Sequence, residues 1–181
     1  MIELVKEYHN ILPLKTLSKI LKVANTRNYQ FGKIGLVNPQ ENLEYRKVCV
    51  LPFDKKSSSL TEVHYASLFN YVITNYMNIY AKNFPPLHFD GLLECNLLMY
   101  KEGYYYKKHV DSNGNRTLSA ILFLNNDFEG GELYFEDVMT NKIYDYKPKP
   151  GTLLIWPSNF LFPHGVREVK KGNRFSVVAW V

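Results

Sequence analysis

The chain has 181 residues, 46% of them hydrophobic and 15% aromatic, with a formal net charge of +5 and a pI near 9.0. Length and apolar content exclude a disordered polymer and fit one domain with a sizeable core. Two cysteines exclude a disulfide framework or a zinc-type cluster, and no apolar run is long enough for a membrane helix.

The N-terminus lacks a charged stretch leading into an apolar one, so no signal peptide is expected and the setting is read as cytoplasmic and reducing. The positive balance has two readings: a nucleic-acid or acidic partner, or a solvated surface of scattered lysines. The second is preferred, because the lysines are paired only at Lys55-Lys56, Lys107-Lys108 and Lys170-Lys171 and form no long basic run.

Taken in chain order, Leu14 to Ala24 repeats apolar residues at helical spacing behind Pro13, a residue suited to a helix start. Thr26 to Ser59 is mixed: Arg46 to Phe53 reads as a strand and the rest as loop, long enough to fold over an active-site mouth. Leu60 to Lys82 predicts a longer helix with a broad apolar face, capped by Ser59 or Thr61 and stopped by Pro85-Pro86. From about residue 88 the pattern changes to strands: Gly91–Tyr100, Leu118–Leu124, Leu133–Phe135, Lys142–Tyr146, Thr152–Trp156 and Arg174–Val181. Turn signals separate them at Ser112-Asn113-Gly114-Asn115, Glu129-Gly130-Gly131, Lys149-Pro150-Gly151 and Lys171-Gly172-Asn173. Leu118–Leu124 is nearly all apolar and is expected at the centre of a sheet. The fold class is therefore mainly β with supporting helices, a sandwich or jelly roll. One domain, 1–181, is expected, with 1–87 as helical support and lid and 88–181 as the β core.

The chemistry begins at His109-Val110-Asp111. On a strand, residues two apart face the same side, so an imidazole and a carboxylate can converge. His164 lies further on, in Phe162-Pro163-His164-Gly165-Val166. Two histidines and one carboxylate fill one face of an octahedron and leave three positions open, the set suited to non-haem iron(II) oxygenases. His9, His64 and His88 have no such company and are read as structural. Ten residues beyond His164 stands Arg174, whose planar fork suits the far carboxylate of 2-oxoglutarate; the plain alternative is an arginine that opens the last strand. Ser176 shares its strand face and can add a hydrogen bond.

From Leu92 to Trp180 the chain resembles the 2-oxoglutarate/iron(II) dioxygenases, within them the prolyl 4-hydroxylase-like branch. The ordered matches are Tyr100-Lys101-Glu102-Gly103, His109-Val110-Asp111, Arg116 to Asn125, Gly130-Gly131-Glu132-Leu133, Lys149 to Trp156, His164-Gly165-Val166 and Gly172-Asn173-Arg174 with Trp180. The resemblance implies a double-stranded β-helix (jelly-roll) core. It implies iron(II) on His109, Asp111 and His164, and 2-oxoglutarate on Arg174 and Tyr100. Phe123 departs from relatives with a tyrosine there, and Ser176 is expected to compensate. Tyr106, Arg116 and Trp180 fall where similar peptidyl-prolyl hydroxylases bind substrate, so prolyl residues of a peptide or protein are the expected target. O2 is the second co-substrate and ascorbate a possible reductant; succinate and CO2 are the by-products, and no general base is needed.

Three rivals stand beside this reading. A hydroxylase of a free amino acid or small metabolite would use the same site. A nucleic-acid demethylase is disfavoured, because the second arginine typical of that group is missing after Arg174. A non-enzymatic jelly-roll binding module would make the whole constellation a coincidence.

Overall fold

The structure, a computed structural model, describes residues 2–34, 40–53, 57, 59–84, 87–112, 114–147 and 149–181. Three expected features lie outside these residues: the Pro85-Pro86 stop, the Lys55-Lys56 pair and Asn113 of the first turn.

Helix α1 (Leu14–Ala24) has the expected bounds, with Pro13 as its N-cap and Leu17, Ile20 and Ala24 buried. Helix α2 (Leu60–Ala81) ends one residue short of expectation, at its C-cap Lys82. Of the two capping candidates Ser59 acts: its side chain accepts from the Glu62 N–H, and the Ser57 hydroxyl donates to the Glu62 carboxylate at 2.6 Å. Phe69, Ile73 and Met77, spaced by four, lie on one face and are wholly buried. Each contributes about 1.5–3 kcal/mol through that burial.

The strands in chain order are β1 (Lys6–Tyr8), β2 (Gln30–Phe31), β3 (Lys33–Ile34), β4 (Gln40–Glu41), β5 (Arg46–Lys47) and β6 (Cys49–Pro52), all before α2 or flanking α1. After α2 come β7 (Glu94–Tyr100), β8 (Tyr105–His109), β9 (Leu118–Phe123), β10 (Glu129–Gly130), β11 (Leu133–Glu136) and β12 (Ile143–Tyr146). The chain ends with β13 (Leu153–Pro157), β14 (His164–Val166), β15 (Val169–Lys171) and β16 (Arg174–Trp180).

A seven-stranded sheet has the order β1-β13-β9-β16-β7-β6-β2, and a five-stranded sheet has the order β12-β11-β14-β8-β5. Alternation along the strands divides the large sheet's side chains between two apolar layers. Leu97, Met99, Leu122, Leu153 and Val177 pack on the helices. Leu98, Tyr100, Ile121, Phe123, Leu154 and Val178 face the small sheet's Leu133, Phe135 and Val166. With both faces covered, every residue of β9 is buried, which accounts for its unbroken apolar run. The result is the expected mainly-β jelly roll with two helices on one side.

The sequence reading of residues 46–53 as one strand is corrected. Arg46–Lys47 pairs with β8 in the small sheet, whereas Cys49–Pro52 pairs with β7 in the large one. The chain changes sheets at Val48, which is wholly buried between the layers. Strand β1 was also not foreseen; its three residues pair with Ile155, Leu154 and Leu153 along the edge of β13. The Tyr80 hydroxyl of α2 donates to the Leu4 carbonyl at 2.9 Å and ties this N-terminal segment to the helix.

Candidate functional site

His109 ends β8 and His164 begins β14, and the antiparallel register sets them opposite each other. Asp111 lies two residues beyond the end of β8, so it is not on the strand as expected. The alternation nonetheless persists: Val110 turns outward at 39% exposure and Asp111 turns inward at 7%. The donor atoms of His109, Asp111 and His164 all lie within 4.8 Å of one another. His164 Nε2 stands 3.4 Å from Asp111 Oδ2, and His109 Nε2 stands 3.7 Å from Oδ1.

Both rings are aimed by the same local device. His109 Nδ1 lies 2.9 Å from the Lys107 carbonyl, and His164 Nδ1 lies 2.9 Å from the Phe162 carbonyl. A carbonyl only accepts, so each Nδ1 carries the proton and each Nε2 lone pair faces the cluster. Burial, reinforced by His164, pushes the His109 imidazole down to about 3, which keeps it neutral. Burial alone would raise the Asp111 carboxyl, but His164, His109 and the Ser119 hydrogen bond together hold it below the usual carboxylate range. The buried Ser119 hydroxyl donates to Asp111 Oδ2 at 2.7 Å and is itself 2.6 Å from the Ser158 hydroxyl. Two imidazole nitrogens and one carboxylate on one side of a point are a donor set that fits ferrous iron and leaves the other side open.

Beneath this cluster, Arg174 is wholly buried on β16. Its Nη1 donates to Ser176 Oγ at 3.0 Å, and its guanidinium carbon lies 5.1 Å from the ring centres of both Tyr100 and Phe123. Nε and Nη2 are buried without an acceptor among the described residues. Burial pushes this guanidinium down to about 10. A buried cation with idle donors is costly unless an anion meets it; a carboxylate of a bound co-substrate would do so. Gly131 makes room for the arginine: its φ is +65°, and a Cβ there would come within 3.1 Å of Arg174 Cδ and 2.9 Å of Val169 Cγ2.

A cavity of about 700 Å³ opens over the cluster. Tyr106, Arg116 and Trp180 all line it, as the sequence reading expects. Tyr106 stacks on His109 with ring centres 3.6 Å apart. Arg116 lies 3.9 Å over the Trp180 ring and pairs with Glu94 at 3.0 Å, so its charge is met within the chain. Sequence reasoning passed over Arg46, Ser119 and Ser158. The two serines sit in or beside apolar strands, and Arg46 opens an apolar run; a polar residue so placed was the only available signal.

Residues 95–181 match the model of the 2OG-Fe(II) oxygenase superfamily. Human prolyl 3-hydroxylase 2 is 35% identical over 96 residues, covering 52% of this chain and 13% of that protein. A PKHD-type hydroxylase of Idiomarina loihiensis is 40% identical over 88 residues, covering 45% of this chain and 38% of that protein. The chain thus spans well under half the length of these curated relatives. Among solved structures, a prolyl-4-hydroxylase of Pseudomonas putida shares the fold at a TM-score of 0.76 and 19% identity, over 98% of this chain and 91% of that one. A Trichoplax adhaerens prolyl hydroxylase, solved with a hypoxia inducible factor peptide fragment, gives 0.79 at 17% identity over 98% and 82%.

Proposed function

We propose that the chain is a 2-oxoglutarate- and O2-dependent Fe(II) hydroxylase acting on prolyl residues of a peptide or protein, a reading supported by the match of residues 95–181 to the 2OG-Fe(II) oxygenase superfamily and by a fold shared with a solved prolyl-4-hydroxylase. The observation that carries this reading is the pairing of the inward-facing donors of His109, Asp111 and His164 with the acceptorless, wholly buried guanidinium of Arg174.

In this reading His109, Asp111 and His164 hold Fe(II) through two Nε2 atoms and one carboxylate oxygen. Arg174 binds the far carboxylate of 2-oxoglutarate, with Ser176 fixing one guanidinium nitrogen and Tyr100 walling the socket. The bound iron would supply O2 activation coupled to co-substrate decarboxylation. The chain's own part is to orient and to exclude water. The carbonyls of Lys107 and Phe162 fix the tautomers, Ser119 holds Asp111, and the apolar rings of Phe123, Phe135 and Trp156 keep the interior dry. Tyr106, Arg116 and Trp180 form the substrate wall of the cavity. Ascorbate as reductant and a cytoplasmic setting belong to the same reading, the latter supported by a count of only two cysteines.

The test is succinate release with Fe(II), 2-oxoglutarate and a panel of blocked proline-rich peptides, free proline, free lysine and methylated oligonucleotides. Stimulation by the proline-rich peptides is expected. His109→Ala should lower turnover by about a thousandfold or more; turnover that survives it sinks the metal assignment. Stimulation by free amino acids or oligonucleotides alone would replace the peptide substrate with that class.

A further inference from the structure

We propose that Arg46 forms a second anion subsite, on the outer wall of the cavity, that receives a carboxylate of the substrate. The inference rests on the hydroxylase reading of the site and names a chemical feature of its substrate.

The chain has five arginines. Three are matched by carboxylates: Arg27 with Glu62 at 3.6 Å, Arg116 with Glu94 at 3.0 Å and Arg167 with Asp145 at 2.7 Å. Among the described residues, only Arg174 and Arg46 pair with none. Arg174 is accounted for by the co-substrate. Arg46, on β5 in the small sheet, lines the cavity, whereas Arg174 is not among its lining residues, so Arg46 needs a different partner.

Its placement is built rather than incidental. The guanidinium carbon lies 4.7 Å from the centre of the Tyr106 ring, the same ring that stacks on His109. Arg46 is therefore one aromatic ring away from a donor of the metal cluster. Nη1 donates to the Lys33 carbonyl at 2.7 Å. Nε is buried without an acceptor and packs on Gly32, where an added Cβ would come within 2.9 Å of it. The stem thus lies between Gly32 and Tyr106, and among the described residues the fork has no hydrogen-bond partner beyond the Lys33 carbonyl.

The local charge favours an anion over a neutral carbonyl. Lys33 and Lys47 flank Arg46, and among the described residues neither forms an ion pair; Lys47 instead lies 4.9 Å over the Tyr104 ring. Glu41, across the hairpin from Lys33, pairs with neither Lys33 nor Arg46. Glu94, which also lines the cavity, is paired with Arg116. A planar guanidinium fork suits a carboxylate bidentately. The carboxylate has two possible sources, an acidic side chain beside the target residue of a peptide or the α-carboxylate of a free amino acid.

The test measures binding rather than turnover. The full chain, loaded with Mn(II) and 2-oxoglutarate, is titrated with end-blocked proline peptides that differ only in Asp, Asn or Lys beside the proline, and separately with L-proline and L-prolinamide. The expected result is about fivefold or greater preference for the acid over its neutral match in one of the two series. The preference should disappear in Arg46→Gln, survive in part in Arg46→Lys, and reverse toward the Lys peptide in Arg46→Glu if the peptide series carries it. Each variant is read as a ratio between matched ligands, so a partial loss of folded protein cancels. No preference in the unaltered chain, or a preference that Arg46→Gln leaves intact, overturns the proposal. Succinate release with the same ligands separates the two claims: an acid preference without hydroxylation of any proline ligand defeats the substrate reading and leaves the subsite standing.

Discussion

The inner socket around Arg174 and the outer wall around Arg46 each hold a guanidinium that meets no carboxylate among the described residues, yet they are built from opposite materials. The socket lies on β16, all seven residues of which are buried, and on the buried end of β7 from Leu97 to Tyr100. The wall is made of two-residue strands and turns, with Phe31 at 37% exposure. A group that never varies, such as a co-substrate carboxylate, can be met by a rigid pre-formed site whose cost is borne by the whole core. A group that differs between substrates is better met by a thin wall with little stability at stake.

The largest effect that could break this comparison is at Arg174. Arg174→Met should weaken 2-oxoglutarate binding by about a hundredfold or more, since a buried charged partner is lost. The same variant should be more stable than the parent without co-substrate. Its arginine is held down to about 10 by burial, so folding carries a cost of up to about 3 kcal/mol at every pH below that value, relieved only by deprotonation or a bound anion. Urea unfolding in the presence and absence of 2-oxoglutarate checks both halves, and a less stable Arg174→Met without co-substrate would contradict the strained-socket account.

A core-against-wall pair gives the next effect. Leu122→Ala, at a wholly buried position of β9, should cost about 2–5 kcal/mol, whereas Phe31→Ala on the wall should cost about 1 kcal/mol or less. Equal losses in denaturant melts would mean that the wall belongs to the cooperative core after all. The smallest effect is expected at Gly32→Ala. The new methyl must displace Val48 Cγ1, at 2.7 Å, and Arg46 Nε. Affinity for a proline peptide that carries an acidic neighbour should fall by about two- to fivefold if Arg46 binds it, measured by the same titration on the Mn(II)-loaded chain. An unchanged affinity would show that Arg46 keeps its grip without the Gly32 clamp.

How much of this could be read in advance follows the range of the forces involved. The helices were legible because periodicity is local: Phe69, Ile73 and Met77 announce their common face without knowledge of what covers it. β9 was legible because burial on both sides writes an apolar run. The cluster of His109, Asp111 and His164 was legible because metal-binding chemistry admits few residue types, even though Asp111 lies off the strand from which its orientation was argued. The split of residues 46–53 was not legible. An apolar run reads the same whether it joins one sheet or two, and only β8 and β7, far along the chain, decide that Val48 is a crossing point. Arg46 was missed for a related reason. Nothing around it in sequence distinguishes a surface arginine from a cavity arginine; the distinction comes from Tyr106, sixty residues away, and from the space that Gly32 leaves. Ser119 was hidden by its apolar neighbours, and its role appears only once Asp111 and Ser158 are beside it.

Strand β1 has a consequence for the solution behaviour of the chain. Without Lys6–Tyr8, the large sheet would end at β13, with the backbone donors and acceptors of Leu153 and Ile155, which point away from β9, unpaired on an apolar strand. Such an edge is a template on which another chain can add a strand, and stacks of molecules can grow from it. The short N-terminal segment, pinned by Tyr80, therefore acts as a seal against polymerisation. A proteolytic nick that removes it would leave the His109, Asp111 and His164 cluster in place while exposing an adhesive edge, so loss of solubility would precede loss of the site.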